Sequence, residues 1–429
     1  MKPTIVCAAL ALGLTSPAVA APPAAEFPIT RYGATADDER PDTEAIQRAI
    51  DACGAAGGGV VRVPKGRFLS GGLRLASNVR LVLDRDAVLQ GSTNHLDYGK
   101  GGWNDALLVG ENLNNVAIEG PGRIDGADCQ NPKGEEGFRG PHAIRLAKCE
   151  NIAIAGLTIE RAGNYAVLCR DCAAATIEKV SFRGGHDGVH AQACGKFRVR
   201  ECDFRTGDDC LAGCDNTHFE VVGCKINSSC NGFRLGCLGL LVKDCTFWGP
   251  GEHVHLVSRR SGGPGRINML SAFVHFAPKD RNPKLPSDNW LIQNCTMDNV
   301  DTVYGYDIER GVWQTGQPAK RLRFEGVKAT RVAQPLRVLG DAERQFDLTL
   351  ENVSITLRDD RADREVLNIE RFGRLTLRNV TLANGGKVPV LRARNGKAVS
   401  LDRVTAAPER DAPFALEQIG EIRQAAKPD

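Results

Sequence analysis

Apolar residues recur along the chain in one fixed frame, at offsets 0, +2, +5 and +7 from the start of each repeat. The frame describes a short strand, a turn that shifts the alternation by one residue, and a second short strand. Repeats begin at residues 152, 175, 197, 219 and 240, and again at 290, 322, 348, 375 and 399. A period of about 22 residues made of strands leaves no room for a helix, so the pattern predicts a β-solenoid.

The repeat predicts an all-β fold, a single-domain right-handed parallel β-helix over residues 28–408. Leucine-rich repeats share the period, but the frame lacks their spacing of leucine and asparagine. Two longer gaps between repeats, Gly249 to Asp288 and Asp301 to Pro318, indicate insertions. Because insertions into a solenoid tend to collect on one face, we expect them to form the walls of a binding cleft.

Three segments lie outside the repeat. Residues 1–20 combine an early lysine, a short apolar run and a small-residue end, which predicts a secretory signal peptide cleaved after about Ala20. Residues 42–54 predict an amphipathic α-helix that begins at the cap residue Asp42 and covers the N-terminal end of the solenoid. Residues 409–429 are charged and show no repeat, so we expect a C-terminal tail.

Polar residues occupy one offset in four successive repeats. Offset +12 places Asn164, Asp187, Asp209 and Asn231 one above another, at roughly the 4.8 Å spacing of neighbouring strands, with Asp208 beside them. Each aspartate alone is typical of a turn. Together, however, three close carboxylates repel one another, so at least one should keep a proton near neutral pH. Acid/base catalysis needs such a group, whereas the fold does not.

The strand that follows this column has apolar residues at +14 and +16, so the residue at +15 should face solvent. Offset +15 holds His190, Ala212, Arg234 and His255. Strict alternation would turn Asp209 inward and Asp208 outward. Both can face a cleft only if the chain turns at Gly207.

Other side chains are candidates for substrate contact. The first insertion contains basic residues that form either a wall that binds acidic sugars or a solvated loop, namely Arg259, Arg260, Arg266, Lys279 and Arg281. Tyr304 in the second insertion could stack on a sugar or pack within its loop. The candidate contacts are His186, His190, Asn231, Arg234, His255, Arg259, Lys279 and Tyr304.

Charge and cysteine content narrow the function classes. The net charge is +3 and the basic residues are dispersed, so no nucleic-acid footprint is visible. Fourteen of the 15 cysteines follow the signal peptide. Those at offset +5 (Cys202, Cys224, Cys245 and Cys295) should be buried thiols, whereas Cys172, Cys194, Cys214 and Cys237 fall at turns, where disulfides are expected. No metal-binding motif is present, and we expect an exported monomer without cofactor, not bound to a membrane.

Two short motifs carry a family resemblance. Gly207-Asp208-Asp209-Cys210 matches a Gly-Asp-Asp-Cys segment, and Gly185-His186-Asp187-Gly188 corresponds to an Asn-Thr-Asp-Gly segment, of glycoside hydrolase family 28. This family comprises the polygalacturonase and rhamnogalacturonase group of pectin-degrading enzymes, and stretches between Ile29 and Gly126 are similar to the opening of its wider superfamily. The resemblance implies inverting hydrolysis, in which Asp208 is the general acid and Asp187 and Asp209 hold and deprotonate the water.

The chain departs from the family pattern at two places. Asn231 stands where the family has a histidine, and the family's Arg-x-Lys substrate clamp has no match in register. Arg234 and the basic insertion could replace the clamp, which suggests a different acidic or branched polysaccharide. A polysaccharide lyase on the same scaffold and a non-catalytic carbohydrate-binding β-helix are the alternative functions.

Overall fold

Strands dominate the chain, and they pair in parallel. The computed structural model describes residues 25–260, 262–361 and 363–425. The predicted signal peptide, residues 1–20, lies outside these residues. The predicted all-β class is confirmed, since strands arranged in three parallel ladders make up most of the described chain. In each ladder a strand pairs with the strands one repeat earlier and one repeat later.

The three ladders contain strands with the following bounds. The first ladder contains Glu26–Pro28, Gly59–Val63, Val79–Leu83, Asn114–Glu119, Glu150–Ala155, Ala173–Glu178, Gly195–Arg200, Asp288–Gln293, Arg321–Glu325 and Glu421–Gln424. The second contains Gly66–Ser70, Ala87–Gly91, Arg123–Asp125, Thr158–Glu160, Ser181–Gly184, Asp203–Thr206, Lys225–Ser228, Thr246–Trp248, Thr296–Asp298 and Lys328–Val332. The third contains Leu73–Arg74, Ala106–Glu111, His142–Ala147, Val167–Arg170, Val189–Gln192, Ser271–His275, Thr302–Asp307, Leu336–Leu339 and Phe414–Glu417. Longer strands that contribute to more than one ladder are Leu211–Val222, Asn231–Lys243, Asp347–Leu357, Leu367–Ala383 and Leu391–Ala407.

Helices are few and short. The α-helices are α1 (Thr43–Ala55) and α2 (Leu256–Arg260), and the 3-10 helices are Ile29–Tyr32, His95–Tyr98, Glu135–Gly137, Lys279–Arg281 and Asp359–Arg361. Among the described residues, none of these helices has the length and apolar character needed to cross a membrane.

The register of the ladders follows the apolar frame. The first apolar position of successive repeats pairs from Phe197 to Phe219, Leu240 and Trp290 in the first ladder. Aromatic rings stack along such columns, and the centroids of Phe197 and Phe219 are 4.7 Å apart at an interplanar angle of 2°. This separation matches the spacing of paired strands, so each repeat buries its apolar side chains against the same positions of its neighbours.

Helix α1 covers the N-terminal end of the ladders, as predicted. Its apolar stripe is buried and packs on the first-ladder strands near it. The cap differs from the expectation. The side chain of Asp42 makes no cap hydrogen bond, and its Oδ1 instead accepts from the backbone N–H of Thr35 at 2.8 Å. The residue therefore ties the preceding loop to the helix start.

The C-terminal segment differs from the predicted tail. Within residues 409–429, Phe414–Glu417 pairs with the third-ladder part of Leu391–Ala407, and Glu421–Gln424 pairs with its first-ladder part. The segment lacks a described second-ladder strand. It therefore ends the ladders with an incomplete repeat rather than leaving them as a loose tail.

All fourteen described cysteines are free thiols. The column of Cys202, Cys224, Cys245 and Cys295 is buried, as predicted. The expected disulfides of Cys172, Cys194, Cys214 and Cys237 are absent from the described structure, where these four residues are also buried free thiols. Burial makes cysteine a small apolar side chain in both groups.

Candidate active site

Asn164, Asp187, Asp209 and Asn231 form one column where the second ladder passes into the third. The backbone N–H of Gly188 donates to the carbonyl of Asp209 at 2.9 Å, and that of Cys210 donates to the carbonyl of Asn231 at 3.1 Å. Successive repeats are therefore in register at this corner. We refer to these four residues as the polar column.

The corner also brings Asp208 to the column. The carboxylates of Asp187, Asp208 and Asp209 each offer one oxygen within 4.8 Å of the other two, and all three residues are buried. Strict alternation would have separated Asp208 from Asp209. The bend at Gly207 prevents this, and a Cβ there would lie only 2.4 Å from the carbonyl oxygen of Val254. A glycine is therefore required for this close approach.

Asp209 is fixed by two donors from the next repeat. The Nδ2 of Asn231 donates to its Oδ1 at 2.8 Å, and the Nε of Arg234 donates to its Oδ2. The guanidinium of Arg234 lies over the ring of Phe276, 4.3 Å from the centroid, and also faces Trp313 at 5.1 Å. Arg234 is thus committed to the carboxylates and to two aromatic rings.

Asp187 is buried beside a histidine and a tyrosine. Its Oδ2 is 3.1 Å from Nδ1 of His190, whose ring stacks on Tyr165 at 4.5 Å and 3°. Its Oδ1 is buried without a hydrogen-bond partner among the described residues. Burial, with the charges of Asp208 and Asp209, holds the pKa of Asp187 well above its usual range. Asp187 is therefore the carboxyl group that keeps a proton.

Asp208 has the opposite ionisation. Burial alone would raise its pKa, but the neighbouring His255 and the positive charges of Arg139 and Arg234 outweigh burial and hold that pKa well below the usual range. The Nη2 of Arg139 donates to Oδ2 of Asp208 at 2.7 Å, and Nε2 of His255 is 3.7 Å from the same oxygen. In the structure Asp208 is therefore a carboxylate.

Two segments cover this cluster. The N-terminal wall (residues 126–141) carries Arg139, and the α2 wall (residues 249–260 and 262–270) carries His255. The walls touch where Nη2 of Arg260 donates to Oε1 of Gln130 at 2.9 Å and its guanidinium lies 4.1 Å from the centroid of Phe138. Contact between the walls explains why the carboxylates are so little exposed.

His186 contacts Arg139 of the N-terminal wall. Nη1 of Arg139 is 3.1 Å from Nδ1 of His186, and a guanidinium can only donate, so Nδ1 is the acceptor. Burial and the charge of Arg139 lower the pKa of His186 to about 3, which keeps the ring neutral. Sequence reasoning placed His186 at the site but did not identify Arg139, since the N-terminal wall shows no repeat.

His255 reaches the cluster from a different position than predicted. The structure pairs Arg234 with Val274, so the column of His190, Ala212 and Arg234 continues into Ser271–His275 and does not include His255. His255 instead precedes α2. The first predicted insertion is therefore divided by a third-ladder strand.

Three predicted contacts lie elsewhere. The prediction for Tyr304 is wrong, because its side chain is 1% exposed in the core and stacks with Phe346, where it cannot reach a sugar. It belongs to a third-ladder strand and pairs with Phe273. Arg259 and Lys279 are exposed, and no described contact joins them to the carboxylates.

A cavity of about 840 Å³ opens beside the cluster at Arg139 and Asn164. Its wall includes the indole of Trp103, which is 37% exposed. The charged residues that line it are Lys133, Glu135, Arg139, Arg170, Asp171 and Arg281. The cavity is large enough for a short oligosaccharide and has more basic than acidic groups, which suits an acidic sugar.

The donor atoms of the cluster do not favour a metal ion. One oxygen of Asp208 lies within 4.8 Å of the thiol of Cys230 and a ring nitrogen of His255. However, Asp208 is bonded to Arg139, and Nη2 of Arg266 donates to the thiol at 3.2 Å. Guanidinium groups thus take the place that a cation would need, and we assign no metal ligand.

Comparison with known proteins finds one matching family and several similar chains. Residues 53–243 match the family described as glycosyl hydrolases family 28. A "probable polygalacturonase" of Vitis vinifera is 29% identical over 211 residues, which cover 42% of each chain. One of Arabidopsis thaliana is 24% identical over 268 residues, covering 57% of this chain and 56% of the relative. The chain thus spans about half the length of these relatives.

A solved structure extends the likeness in fold. The exopolygalacturonase of Thermotoga maritima superimposes with a TM-score of 0.65 over 85% of this chain and 93% of that chain, at 18% identity. At this identity the likeness concerns the fold. The carboxylates and their partners lie between Arg139 and His255, and the family match covers all of them up to residue 243.

Proposed function

We propose that this chain, a member of glycosyl hydrolases family 28, hydrolyses the glycosidic bonds of pectin-like or related acidic polysaccharide. The observation that carries the proposal is the buried group of Asp187, Asp208 and Asp209, with opposite pKa shifts on Asp187 and Asp208. Glycoside hydrolysis needs one protonated carboxyl group and one carboxylate at the same bond. The cavity with its surplus of basic groups suits an acidic chain.

We assign the proton donation to Asp208 and the activation of water to Asp187 and Asp209. Asp208 is the most exposed of the three, with 11% of its side chain accessible against 1% for Asp187 and 0% for Asp209. It is therefore the group that can reach a glycosidic oxygen. Because it is ionised in the structure, it must take up a proton before it donates one. The nearby proton on Asp187 is one source, since the three carboxylates titrate as a group.

Inversion of the anomeric centre is also part of the proposal. Most inverting enzymes separate their two carboxyl groups by about 6.5–9.5 Å, which leaves room for the water. Here oxygens of the three groups lie within 4.8 Å. We therefore place the water between the sugar and the pair of bases, Asp187 and Asp209. It does not lie between these bases and the acid, Asp208.

The architecture and location complete the proposal. The three parallel ladders, followed in turn by the chain, support a single right-handed parallel β-helix over residues 28–408. We propose that the protein is exported, acts as a monomer, and takes part in the degradation of cell-wall polysaccharide. It requires no cofactor for acid/base hydrolysis.

The test is hydrolysis by the mature protein of a panel of pectic and other polysaccharides, followed by reducing ends and by ultraviolet absorbance of unsaturated sugars. We expect new reducing ends without unsaturation, and a loss of about 10²- to 10⁴-fold in rate for Asp208→Asn. Asp203→Asn is the matched control, because Asp203 lies on the preceding second-ladder strand and pairs with Arg183 and Arg205 outside the cluster. Its activity should be retained.

Other outcomes would identify the alternatives. Unsaturated products that require calcium would show a lyase, and binding without product would show a carbohydrate-binding protein. Proton NMR of the first product gives the anomer. A product with retained configuration would contradict the assignment of water to Asp187 and Asp209.

A further inference from the structure

Arg139 is a buried charged residue that contacts the cluster from outside the family motifs. It is 5% exposed, between the 3-10 helix Glu135–Gly137 and the third-ladder strand His142–Ala147. Its Nη2 donates to Asp208 at 2.7 Å and its Nε donates to Oε2 of Glu136 at 2.6 Å. The guanidinium plane is therefore fixed by carboxylates at two of its edges.

The third nitrogen of Arg139 contacts the other polar groups of the corner. Nη1 lies 3.1 Å from the acceptor nitrogen of His186 and 3.4 Å from Oδ1 of Asn164. The ring of Tyr165 lies 5.8 Å from the guanidinium carbon. All three nitrogens of the group are thus engaged, and a cation of another shape would leave acceptors unpaired.

The charged and titratable groups around Asp208 come from several segments. Arg139 belongs to the N-terminal wall and His255 to the α2 wall. Arg234 approaches from Asn231–Lys243, and Asp187 and Asp209 belong to the column itself. The thiol of Cys230 also lies within 4.8 Å of the carboxylate. Of the two walls' basic groups, Arg139 makes the shorter contact with Asp208.

We propose that Arg139 is a positioning residue that orients Asp208 through its ion pair until substrate enters beneath the N-terminal wall. The inference rests on the proposed function of Asp208 as the acid. The same wall lines the cavity through Lys133, Glu135 and Arg139, so a sugar that enters the cavity contacts the segment that holds Arg139. Moving Arg139 away removes the charge that stabilises the carboxylate, and Asp208 then takes up its proton.

The first test replaces Arg139 by glutamine, which removes the charge but can still donate hydrogen bonds. We expect the alkaline limb of the kcat/KM profile, which reports loss of the protonated acid, to move to higher pH. We also expect kcat to fall about 10- to 100-fold through misplacement of the carboxylate. Arg139→Lys keeps the charge and should restore the position of the limb. A merely structural arginine would change kcat or stability but not the limb.

Arg161→Gln is the matched control, because Arg161 forms an ion pair with Asp125 that does not contact the cluster. Its profile should match the wild type. In the Asp208→Asn background, adding Arg139→Gln should not move the alkaline limb of the residual kcat/KM profile. An unchanged limb in Arg139→Gln, or an equal shift in Arg161→Gln, would overturn the proposal.

A second measurement needs no activity. The ¹³C resonance of the Asp208 carboxyl group, assigned by its loss in Asp208→Asn, can be titrated in the wild type and in Arg139→Gln. We expect the titration to move to higher pH in the variant, whereas no movement would overturn the role of Arg139. If no polysaccharide is cleaved although the resonance shifts as expected, the proposed function fails and the positioning by Arg139 stands.

Discussion

Two columns of the same ladders show opposite chemistry. The cysteine column (Cys202, Cys224, Cys245 and Cys295) lies at the turn between the first and second ladders, and each thiol donates to the backbone carbonyl two residues earlier. Each thiol also contacts a backbone carbonyl of the preceding repeat, so the partners of this column come from the ladders themselves. The polar column lies at the next corner, where Asp209 is bound by Arg234 of the next repeat and Asn164 by Arg139 of the N-terminal wall.

The difference shows what a repeat can and cannot provide. Repetition places residues of the same offset about 4.8 Å apart, and this spacing suits small apolar side chains. Like charges at that distance repel, so charged residues need compensation that is not repeated. Here it comes from Arg234 in the neighbouring repeat and from Arg139 in the N-terminal wall. Chemistry thus appears where the ladders are covered by unique segments.

The largest effect should follow from removing Arg234. In Arg234→Leu the carboxylate of Asp209, which is fully buried, loses its cation, and breaking one partner of a buried pair typically costs about 3–5 kcal/mol of unfolding free energy. Urea unfolding at neutral pH measures this cost. Adding Asp209→Asn removes the unpaired charge and should recover part of it. A loss under about 1 kcal/mol in the single variant would mean that the polar column does not depend on its cation.

A smaller effect of opposite sign is expected for Asp187→Asn. The pKa of Asp187 is raised in the folded protein, so its contribution to stability is complete below the unfolded pKa and is lost as pH rises through the folded pKa. Asparagine cannot ionise. The free energy of unfolding of the variant should therefore equal that of the wild type in acid and exceed it by about 0.5–2 kcal/mol at neutral or higher pH. Hydrolysis should be lost.

Asp203→Asn is the control for the sign of the stability change in Asp187→Asn. Burial raises the pKa of Asp203, but Arg205 and Arg183 outweigh burial and lower it, so its stabilising contribution is present above the unfolded pKa and is lost in acid. Asparagine at this position should therefore reduce stability at neutral pH. The two unfolding series against pH should diverge. If both variants lose stability at neutral pH, the carboxylates of the polar column are not in conflict.

Most of the ladder register was predictable, because the apolar frame that starts at 152 continues to Val399 with paired positions throughout. The final strands were not, since the frame requires a first-ladder strand followed by a second-ladder strand. The end of the chain instead has a third-ladder strand and then a first-ladder strand. A pattern built from two of the three ladders cannot detect an incomplete repeat of this kind.

The site was predictable only where it follows the repeat. Asp187 and Asp209 share an offset, and Asp208 adjoins one of them, so counting places all three. Arg139 contacts Asp208 across 69 positions from a segment without a repeat, so no offset relates them. Tyr304 shows the reverse error. It was assigned to an insertion, although it continues the inward-facing position of Phe233 and Phe273.

The smallest effect should come from the cysteine column. Cys224 is 1% exposed, and Cys224→Ala removes one heavy atom from a site whose neighbours above and below are the same residue. We expect a loss of about 1 kcal/mol in unfolding free energy, as for a deleted methylene group, with kcat within about twofold of the wild type. Urea unfolding and the hydrolysis assay measure both. Because the thiol is uncharged and bonds only to backbone carbonyls, no charge is left unpaired by the change. A loss of activity comparable to that of Asp208→Asn would mean that the two columns are coupled through the core, and that the walls are not the sole source of the difference between them.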